Sequence, residues 1–364
     1  MRPVDVLQLV EATGPKKNPF LRQLVDALRQ HPQVGTVAHG TCHLNDPRIQ
    51  AHVIHIHWPE ALTKWREPRP NQIAAIEAWL RGQSRTSIVV VTIHNEHPHF
   101  RDSRRYRQLY RTVLSNAHGL IHLGEASVPK IRDRYGSPEQ EHKVIPHGDY
   151  SCLPNATTKE EAREALRLPK AQPVILALGD LRHWGELNLL LRGTLGGGTN
   201  EARLVMAGRL LGFRRFRGLS LPIEAAVALH PRVHLFKGWV PERNMQLYLN
   251  AADVLFIPRL KALNSGNVSL GFTFGKVVVG PEIGVIGEVL KKTGNPVFDP
   301  QDLESVRESL RQGLAASSTD LGDRNAEFAR ETMGWEGIAE EHVRFYRSIL
   351  QKRGVAPALR GKDP

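Results

Sequence analysis

Cysteines and long apolar runs are scarce in this sequence. Only two of the 364 residues are cysteines, Cys42 and Cys152, so a disulfide framework is excluded and a reducing compartment is expected. No apolar run approaches the roughly 18–20 residues that a membrane-spanning helix requires. The N-terminal segment also lacks the long apolar stretch of a signal peptide. Together these absences predict a cytoplasmic protein.

Acidic residues are fewer than basic ones: the sequence has 37 Asp and Glu and 49 Lys and Arg, which gives a net charge of +12. Such an excess predicts an anionic partner, either nucleic acid, an anionic membrane surface or a phosphate-bearing ligand. The sequence has no zinc-finger spacing, RNP-type motif or helix-turn-helix signature, so nucleic acid is disfavoured. It also lacks an internal repeat at the periods of solenoids or propellers.

Short apolar segments alternate with longer amphipathic ones along the whole chain. Strands are predicted at 4–9, 34–38, 52–57, 87–93, 119–123 and 143–146, and in the second half at 174–178, 203–207, 233–236, 254–257 and 277–279. Nearly continuous apolar strands separated by helices are typical of parallel sheets covered on both faces. We therefore predict an α/β fold with two doubly wound, Rossmann-like domains.

The predicted domain boundary lies within 150–158, where proline and small polar residues interrupt the periodicity. A capping box, TKEE at 158–161, follows directly and predicts a helix start. Residues 1–155 then form the first domain and residues 156–334 the second. A last helix is predicted at 335–352, followed by a flexible tail at 353–364.

Small and cationic residues follow the strands of the second domain, where open α/β sheets bind their ligands. The glycines are Gly179, Gly208 and Gly238, and the cations are Arg182 and Arg209. A fourth strand leads through Asn264, Ser265, Gly266 and Asn267 into a helix, whose free amide groups would attract an anion. This pattern favours a nucleotide diphosphate, whereas the plainer interpretation is that the glycines only form tight turns.

Histidines and carboxylates follow the strands of the first domain, in HIHWPE at 55–60, TIHNEHPH at 92–99 and HGDY at 147–150. These side chains move protons near neutral pH. His94, beside Asn95 and Glu96, is the strongest candidate, whereas His52 and His122 are expected to be structural. A metal site is the competing hypothesis, but the histidines match no standard zinc spacing, so no metal is predicted.

Two arginine clusters remain, one on a predicted helix at 101–111 and one in FRRFR at 213–217. Either could attract anionic lipid head groups, at about 1 kcal/mol for each cation near the surface. The alternative is an ordinary solvated face.

Short motifs along nearly the whole chain resemble those of glycosyltransferases with the GT-B fold, in the broad family 4-like group, and most closely of bacterial transferases that build exopolysaccharides and other glycans. The motifs are NPF (18–20), HIHWPE (55–60), TIHNE (92–96), VIPHGDY (144–150), LGDLR (178–182), AGRL (207–210), GWVP (238–241), NAADVLFIP (250–258), NSGN (264–267), GKVVV (275–279) and GVIGE (284–288).

The resemblance implies an N-terminal acceptor domain and a C-terminal sugar-nucleotide domain facing a cleft, with the last helix crossing back onto the first domain. It implies transfer of a sugar from a UDP- or GDP-sugar to a hydroxyl of a glycan or lipid-linked acceptor, with no obligatory cofactor. The protein would act at the inner face of the membrane as a peripheral enzyme.

In the donor domain, Arg182 matches the arginine that neutralises the departing diphosphate, assisted by Arg209 and the Ser265–Gly266 backbone. Gly238 and Trp239 match the segment along the base, and Glu288 an acidic position expected to contact the ribose. The predicted donor-binding residues are Gly179, Arg182, Gly208, Arg209, Gly238, Trp239, Asn264, Ser265, Gly266, Asn267 and Glu288.

In the acceptor domain, His94 matches the histidine that contacts the donor sugar. The predicted acceptor-binding residues are Asn18, His57, Trp58, Glu60, Asn95 and His147. An inverting mechanism needs a base, for which Glu96, Glu60 and Asp149 are candidates, whereas a retaining one needs none. The residues leave both mechanisms open, and the predicted catalytic set is His94, Glu96, Arg182 and Asp149.

Three departures from the family pattern keep other functions open. RHWG at 182–185 lacks the lysine that commonly follows the diphosphate arginine, residues 264–270 lack the usual pair of glutamates, and EATGPKK at 11–17 replaces a glycine-rich loop. Fewer charges would then stabilise the leaving group. The alternatives are a catalytically degenerate partner or sugar-binding subunit, and an epimerase acting on a UDP-sugar.

Overall fold

The computed structural model of the protein describes residues 3–11, 19–45, 51–98, 103–136, 139–197, 199, 201–209 and 217–355. The chain divides into two compact units: unit 1 is residues 1–148 with 333–364, and unit 2 is residues 149–332. Within the described residues, no helix combines the length and the apolar character needed to cross a bilayer.

Unit 1 contains a parallel sheet in the order β2-β1-β3-β4-β5-β6. Its strands are β1 (Val4–Gln8), β2 (Val34–His39), β3 (Val53–Ile56), β4 (Ile88–Ile93), β5 (Gly119–His122) and β6 (Glu141–Val144). Its helices are α1 (Pro19–Gln30), α2 (Pro70–Gln83), α3 (Arg104–Ser115), α4 (Val128–Tyr135) and α13 (Trp335–Arg353), with short 3-10 turns at Thr41–Asn45, Pro59–Thr63 and Glu125–Ser127. The buried faces of α1 and α13 join the strands in one core.

Two glycines allow α13 to pack within unit 1 although it is distant in sequence. A Cβ atom at Gly119 of β5 would lie 2.4 Å from Ile349 Cδ1, and one at Gly148 would lie 2.2 Å from Trp335 Cζ2. The helix also forms a buried hydrogen bond, 2.7 Å from Tyr346 Oη to His55 Nδ1. Side chains on α13 therefore occupy the space that these glycines leave.

Unit 2 contains a second parallel sheet, in the order β12-β11-β10-β7-β8-β9. Its strands are β7 (Val174–Leu178), β8 (Arg203–Gly208), β9 (Val233–Lys237), β10 (Val254–Phe256), β11 (Val277–Pro281) and β12 (Val297–Phe298). Its helices are α5 (Lys159–Ala165), α6 (Trp184–Leu195), α7 (Arg217–Leu229), α8 (Glu242–Ala251), α9 (Gly266–Thr273), α10 (Gly284–Lys292), α11 (Leu303–Ala316) and α12 (Leu321–Thr332).

The observed architecture confirms the prediction of two doubly wound α/β domains. The capping box at the start of α5 is present, with Thr158 Oγ1 accepting from Glu161 N and Glu161 Oε2 accepting from Thr158 N. β12 was missed because two residues carry no periodicity. In both sheets the strand order reverses beside the first strand, between β1 and β3 and between β7 and β10, which is where open α/β sheets bind ligands.

The division into units falls earlier in the chain than the predicted boundary after residue 155. Tyr150 N donates to Thr273 Oγ1 at 3.0 Å, and Asn250 Nδ2 donates to Asn155 Oδ1 at 2.8 Å. These hydrogen bonds hold the segment that resembles a linker against α8 and α9. Its proline and small residues thus form an ordered turn region of unit 2.

Candidate active site

The three glycines that follow strands in unit 2 lie together at one edge of the sheet. Gly238 N donates to Gly208 O at 3.2 Å, and a Cβ atom at Gly208 would lie only 2.1 Å from Gly179 O. Gly179 has φ +98° and Gly238 has φ +118°, a region that side chains disfavour. Close approach and backbone conformation therefore both require glycine here, and the edge presents bare backbone.

The start of α9 lies beside the end of β7. Ser265 caps the helix, its Oγ accepting from Asn267 N at 3.4 Å, and Asn267 Nδ2 donates to Leu178 O at 2.8 Å. The first amide groups of a helix lack intrahelical acceptors, and the helix dipole adds partial positive charge there. The segment 264–267 thus places an anion-binding helix end next to Gly179.

Arg182 and Arg209 differ in the freedom of their guanidinium groups. Arg182 is exposed, and no described carboxylate lies within ion-pair distance of its side chain, while its backbone N–H donates to Glu186 Oε2 at 2.7 Å. Arg209 forms an ion pair with Asp180, with 2.8 Å from Nη2 to Oδ2, and this hydrogen bond raises the pKa of Arg209. The diphosphate role of Arg209 stays a prediction, and in the structure its half-exposed guanidinium is paired with the Asp180 carboxylate.

Arg259, directly after β10, is a cation that the sequence analysis missed. Its Nη1 donates to Glu186 Oε2 at 2.7 Å and to the carbonyl of Asp180 at 3.1 Å, and its charge acts on Arg182. Both partners of the Arg259–Glu186 pair are largely buried. Its position after an apolar strand was the available signal, the same signal that identified Arg182.

The other predicted donor residues surround this edge less directly. Trp239 is 40% exposed directly after Gly238, whereas Asn264 and Glu288 are half-buried. Val285 N donates to Leu263 O at 2.9 Å, which ties the start of α10 to the segment preceding α9. The roles of Trp239 and Glu288 toward the base and ribose stay predictions.

In unit 1, His57 connects the first strand to His94. His57 Nε2 lies 2.8 Å from Gln8 Oε1, the last residue of β1, and His57 Nδ1 lies 3.1 Å from His94 Nε2. With the Gln8 oxygen as acceptor, His57 carries its proton on Nε2 and accepts from His94 Nε2–H. This chain of hydrogen bonds connects His94, which follows β4, to residues at the ends of β1 and β3, the strands between which the order reverses.

Both histidines are neutral near pH 7. Burial lowers the pKa of His57 and of His94 well below the usual range, and neighbouring imidazoles lower it further. Burial also lowers the pKa of the adjacent His147 to about 4. Neutral imidazoles can both donate and accept hydrogen bonds, which suits contacts with sugar hydroxyls.

Aromatic side chains surround His94. Trp58 stacks on its ring with centroids 4.3 Å apart and planes 22° apart, and Phe20 approaches its face edge-on at 5.3 Å. Trp65 lies 6.0 Å from Trp58 and is 42% exposed. We call Phe20, Trp58, Trp65 and His94 the aromatic cluster. Such flat apolar surfaces next to hydrogen-bonding groups are typical of small-molecule sites.

Of the three predicted bases, the structure leaves Glu96 accessible. Glu96 is half-buried after β4, with Oε1 3.5 Å from Arg134 Nη1. Glu60 is fully buried and accepts from Tyr110 Oη at 2.9 and 3.0 Å. Asp149 belongs to unit 2, where its Oδ1 accepts from Ser151 N and Oγ. Glu60 and Asp149 are therefore corrected to structural residues, because their carboxylates are held within the fold.

No family model matches the chain. Two proteins of Xanthomonas campestris pv. campestris, both named GDP-mannose:glycolipid 4-beta-D-mannosyltransferase, are 25% and 24% identical to it over 97% of this chain and 95% of their own. Sucrose-phosphate synthase from Thermosynechococcus elongatus superposes with a TM-score of 0.66 at 18% identity, covering 97% of this chain and all of that one.

A further solved structure, Anabaena HepE in complex with UDP and glucose, superposes with a TM-score of 0.69 at 13% identity over 94% of this chain and all of that one. The chain is a glycosyltransferase with the GT-B fold. Its assignment to the family 4-like group stays a prediction.

In this glycosyltransferase, no lysine follows Arg182 within 182–185, but a cation from another strand end lies close to it. Arg259 acts on Arg182 through its charge, although its guanidinium also pairs with the buried Glu186 carboxylate. That Arg259 takes the place of the missing lysine is a prediction.

Several other sequence predictions lie elsewhere in the glycosyltransferase or outside the described residues. His55 is buried between Thr92 and Tyr346 and is structural. No group of three or more metal-binding side chains occurs in the part of the chain that the structure describes. Arg104, Arg105, Arg107 and Arg111 form the exposed face of α3. Asn18, His99, Arg101 and residues 213–216 lie outside the described residues.

Proposed function

We propose that the protein transfers mannose from GDP-mannose to a lipid-linked glycan, with inversion at the anomeric carbon. The observation that carries this is the grouping of an exposed arginine, a second cation and a helix N-terminus at the reversal point of the unit 2 sheet. That grouping suits a nucleotide diphosphate. The names of the relatives, which match over nearly their full length, support GDP-mannose as donor and a glycolipid as acceptor.

The leaving group is GDP, whose terminal phosphate gains charge as its bond to the sugar breaks. Arg182 would pair with that charge through its unengaged guanidinium, and the amide groups at the start of α9 would donate to the phosphate oxygens. Arg259, fixed by Glu186, would add a positive field without needing to move. Donors held in place in this way typically contribute several kcal/mol to the stabilisation of a transition state.

The stereochemistry calls for a base in unit 1. GDP-mannose carries an α-linked mannose, and the relatives are named as β-mannosyltransferases, so one displacement with inversion accounts for the product. The acceptor oxygen bonds to the anomeric carbon, the bond from that carbon to the phosphate oxygen breaks, and the acceptor proton passes to Glu96. Glu96 lies two residues after His94 and is half-buried beside Arg134, whereas Glu60 and Asp149 are buried and hydrogen-bonded to Tyr110 and Ser151.

His94 would bind a sugar hydroxyl in this reaction, and His57 would only orient it, because His57 is fully buried with both ring nitrogens engaged by Gln8 and His94. Because the His94 imidazole is neutral, it orients the sugar without repelling the cationic character that develops at the anomeric carbon. The exposed arginines of α3 suit the anionic surface on which a lipid-linked acceptor resides, so the enzyme would work at the inner face of the membrane.

The direct test incubates the purified protein with GDP-mannose or with UDP-glucose and a lipid-linked oligosaccharide, measures nucleotide release and determines the new linkage by NMR. Transfer from GDP-mannose with a β-linkage is expected. The Glu96→Gln variant should lose at least 100-fold in kcat while binding GDP normally. Arg192→Ala, an exposed cation on the outer part of α6, is the matched control for Arg182→Ala. Use of UDP-glucose in place of GDP-mannose, or an α-linked product, would refute the proposal.

A further inference from the structure

Unit 1 contains a cavity of about 510 Å³ whose lining residues come from the 3-10 turns and from α2. Its volume falls in the range of about 300–1,000 Å³ that small-molecule sites occupy. Positions 72, 75, 76 and 79 line it from one face of α2, as their helical spacing requires. Leu44, Leu62, Ile76 and Trp79 give this cavity an apolar wall.

Three cations also line the cavity: Lys64, Arg66 and Arg69. All three are exposed, and among the residues that the structure describes no carboxylate lies within ion-pair distance of them. Glu67 is the carboxylate of the lining, so the cavity keeps an excess of positive charge. A lining that combines apolar side chains with these cations matches a ligand with a hydrocarbon part joined to phosphate.

The backbone between the turn Pro59–Thr63 and α2 is strained where it borders this cavity. Lys64 has φ +51° and Trp65 has φ +60°, conformations that are uncommon for residues with side chains and particularly for an aromatic one. Such outliers cluster at ligand-binding segments. Here the strained backbone exposes the Trp65 ring while the cations on either side of it line the cavity.

The same segment connects the cavity to the aromatic cluster. The ring centroids of Trp65 and Trp58 are 6.0 Å apart, and those of Trp58 and His94 are 4.3 Å apart. A molecule with its sugar on the aromatic cluster could therefore place its next group beside Lys64 and Arg66. For a lipid-linked glycan, that group is the phosphate that joins sugar to lipid.

We infer that this cavity binds the lipid-phosphate part of the acceptor, with the phosphate on Lys64, Arg66 and Arg69 and the start of the hydrocarbon chain against Leu62, Ile76 and Trp79. The inference rests on the proposed function only for the identity of the acceptor. The fit between cations and phosphate and between apolar wall and hydrocarbon is a property of unit 1 alone.

The test measures binding of farnesyl diphosphate, inorganic diphosphate and farnesol to the full chain by tryptophan fluorescence, with GDP present at saturation to occupy the donor site. Farnesyl diphosphate should bind at least tenfold more tightly than either of the other probes. Combined Lys64→Gln, Arg66→Gln and Arg69→Gln should weaken it at least tenfold and leave the Kd for GDP unchanged. Arg81→Gln is the matched control, since Arg81 lies on α2 outside the lining and pairs with Glu77.

Two outcomes would overturn the inference. One is unchanged binding of farnesyl diphosphate by the triple variant, which would place the lipid phosphate elsewhere. The other is equal binding of farnesyl diphosphate and inorganic diphosphate, which would show that the apolar wall contributes nothing. Neither outcome depends on sugar transfer, so failure of the GDP-mannose assay and failure of this binding test are separate results.

Discussion

Arg209 and Asp180 form a bidentate ion pair at the adjacent ends of β7 and β8. Nη2 of Arg209 lies 2.8 Å from Oδ2 and Nε lies 3.2 Å from Oδ1, while the Arg209 backbone N–H also donates to Oδ1 at 3.0 Å. Asp180 is two residues before Arg182, so a negative charge stands in the region where the diphosphate is proposed to bind. Both arginines are exposed, but among the described residues only Arg209 of the two has a carboxylate within ion-pair distance of its side chain.

The first prediction compares the two arginines. Arg182→Ala should lower kcat by about 100-fold or more, because the departing diphosphate loses a cation that would stabilise its charge. Arg209→Ala should cost less than about tenfold, since its guanidinium is paired with Asp180 and half-exposed, where ion pairs contribute little. Steady-state kinetics with GDP-mannose and calorimetric titration with GDP check both variants. A loss from Arg209→Ala as large as that from Arg182→Ala would contradict this order.

The second prediction concerns the buried pair of Arg259 with Glu186. Arg259→Met should lower the free energy of unfolding by about 3–5 kcal/mol, because it leaves the Glu186 carboxylate buried without its partner. The double variant Arg259→Met with Glu186→Met should recover most of that loss, since two apolar groups replace two charges. Urea unfolding measures both effects.

Comparison of the double variant with Glu186→Met alone isolates the charge of Arg259, because both variants lack the hydrogen bond from Arg182 N to Glu186 Oε2. If the Arg259 charge assists the diphosphate, the double variant should bind GDP less tightly than Glu186→Met. Equal Kd values for GDP in these two variants would assign Arg259 to the fold alone.

Positions directly after apolar strands predicted which glycines of unit 2 lie together at one edge of the sheet. Gly179, Gly208 and Gly238 were identified by their positions after apolar strands, and hydrogen bonds and close approaches bring them together. Parallel sheets align the carboxyl ends of their strands, so linear spacing along the chain carries spatial information here.

The partner of each charge could not be read in the same way. Asp180 pairs with Arg209 and Glu186 pairs with Arg259, contacts between residues 29 and 73 positions apart. Glu60 was predicted to face the acceptor because it follows a strand, yet a 3-10 turn directs it into the core against Tyr110. Such pairings depend on side-chain directions that strand periodicity leaves undetermined.

The third prediction separates a structural role for Glu60 from a catalytic one. Tyr110→Phe should lower the free energy of unfolding by about 1–3 kcal/mol, because it removes a donor from a buried carboxylate. Glu60→Gln should keep most of the activity, since its amide oxygen can still accept from Tyr110 Oη. Parallel measurement of kcat and of thermal midpoint checks both. A 100-fold loss of kcat in Glu60→Gln at unchanged stability would restore Glu60 as the base.

The fourth prediction is loss of stability in mild acid. Burial lowers the pKa of His147 and of His342 from 6.5 to about 4, so the unfolded chain binds more protons than the folded one between these values. The free energy of unfolding should therefore fall as pH drops from about 6.5 to about 4, by about 1.4 kcal/mol per pH unit for each histidine. His57 and His94 act in the same direction, because burial also lowers their pKa.

Urea unfolding at pH 7, 6 and 5 measures this dependence, and His342→Gln provides the variant. His342 Nδ1 donates to Ile338 O inside α13, so the variant loses some stability at every pH. The slope of its unfolding free energy against pH should nevertheless be smaller than that of the wild type. The difference should correspond to the uptake of about one proton on unfolding, because glutamine does not titrate. An identical slope in wild type and His342→Gln would mean that His342 titrates alike in the folded and unfolded chains, and burial would then not be what holds it neutral.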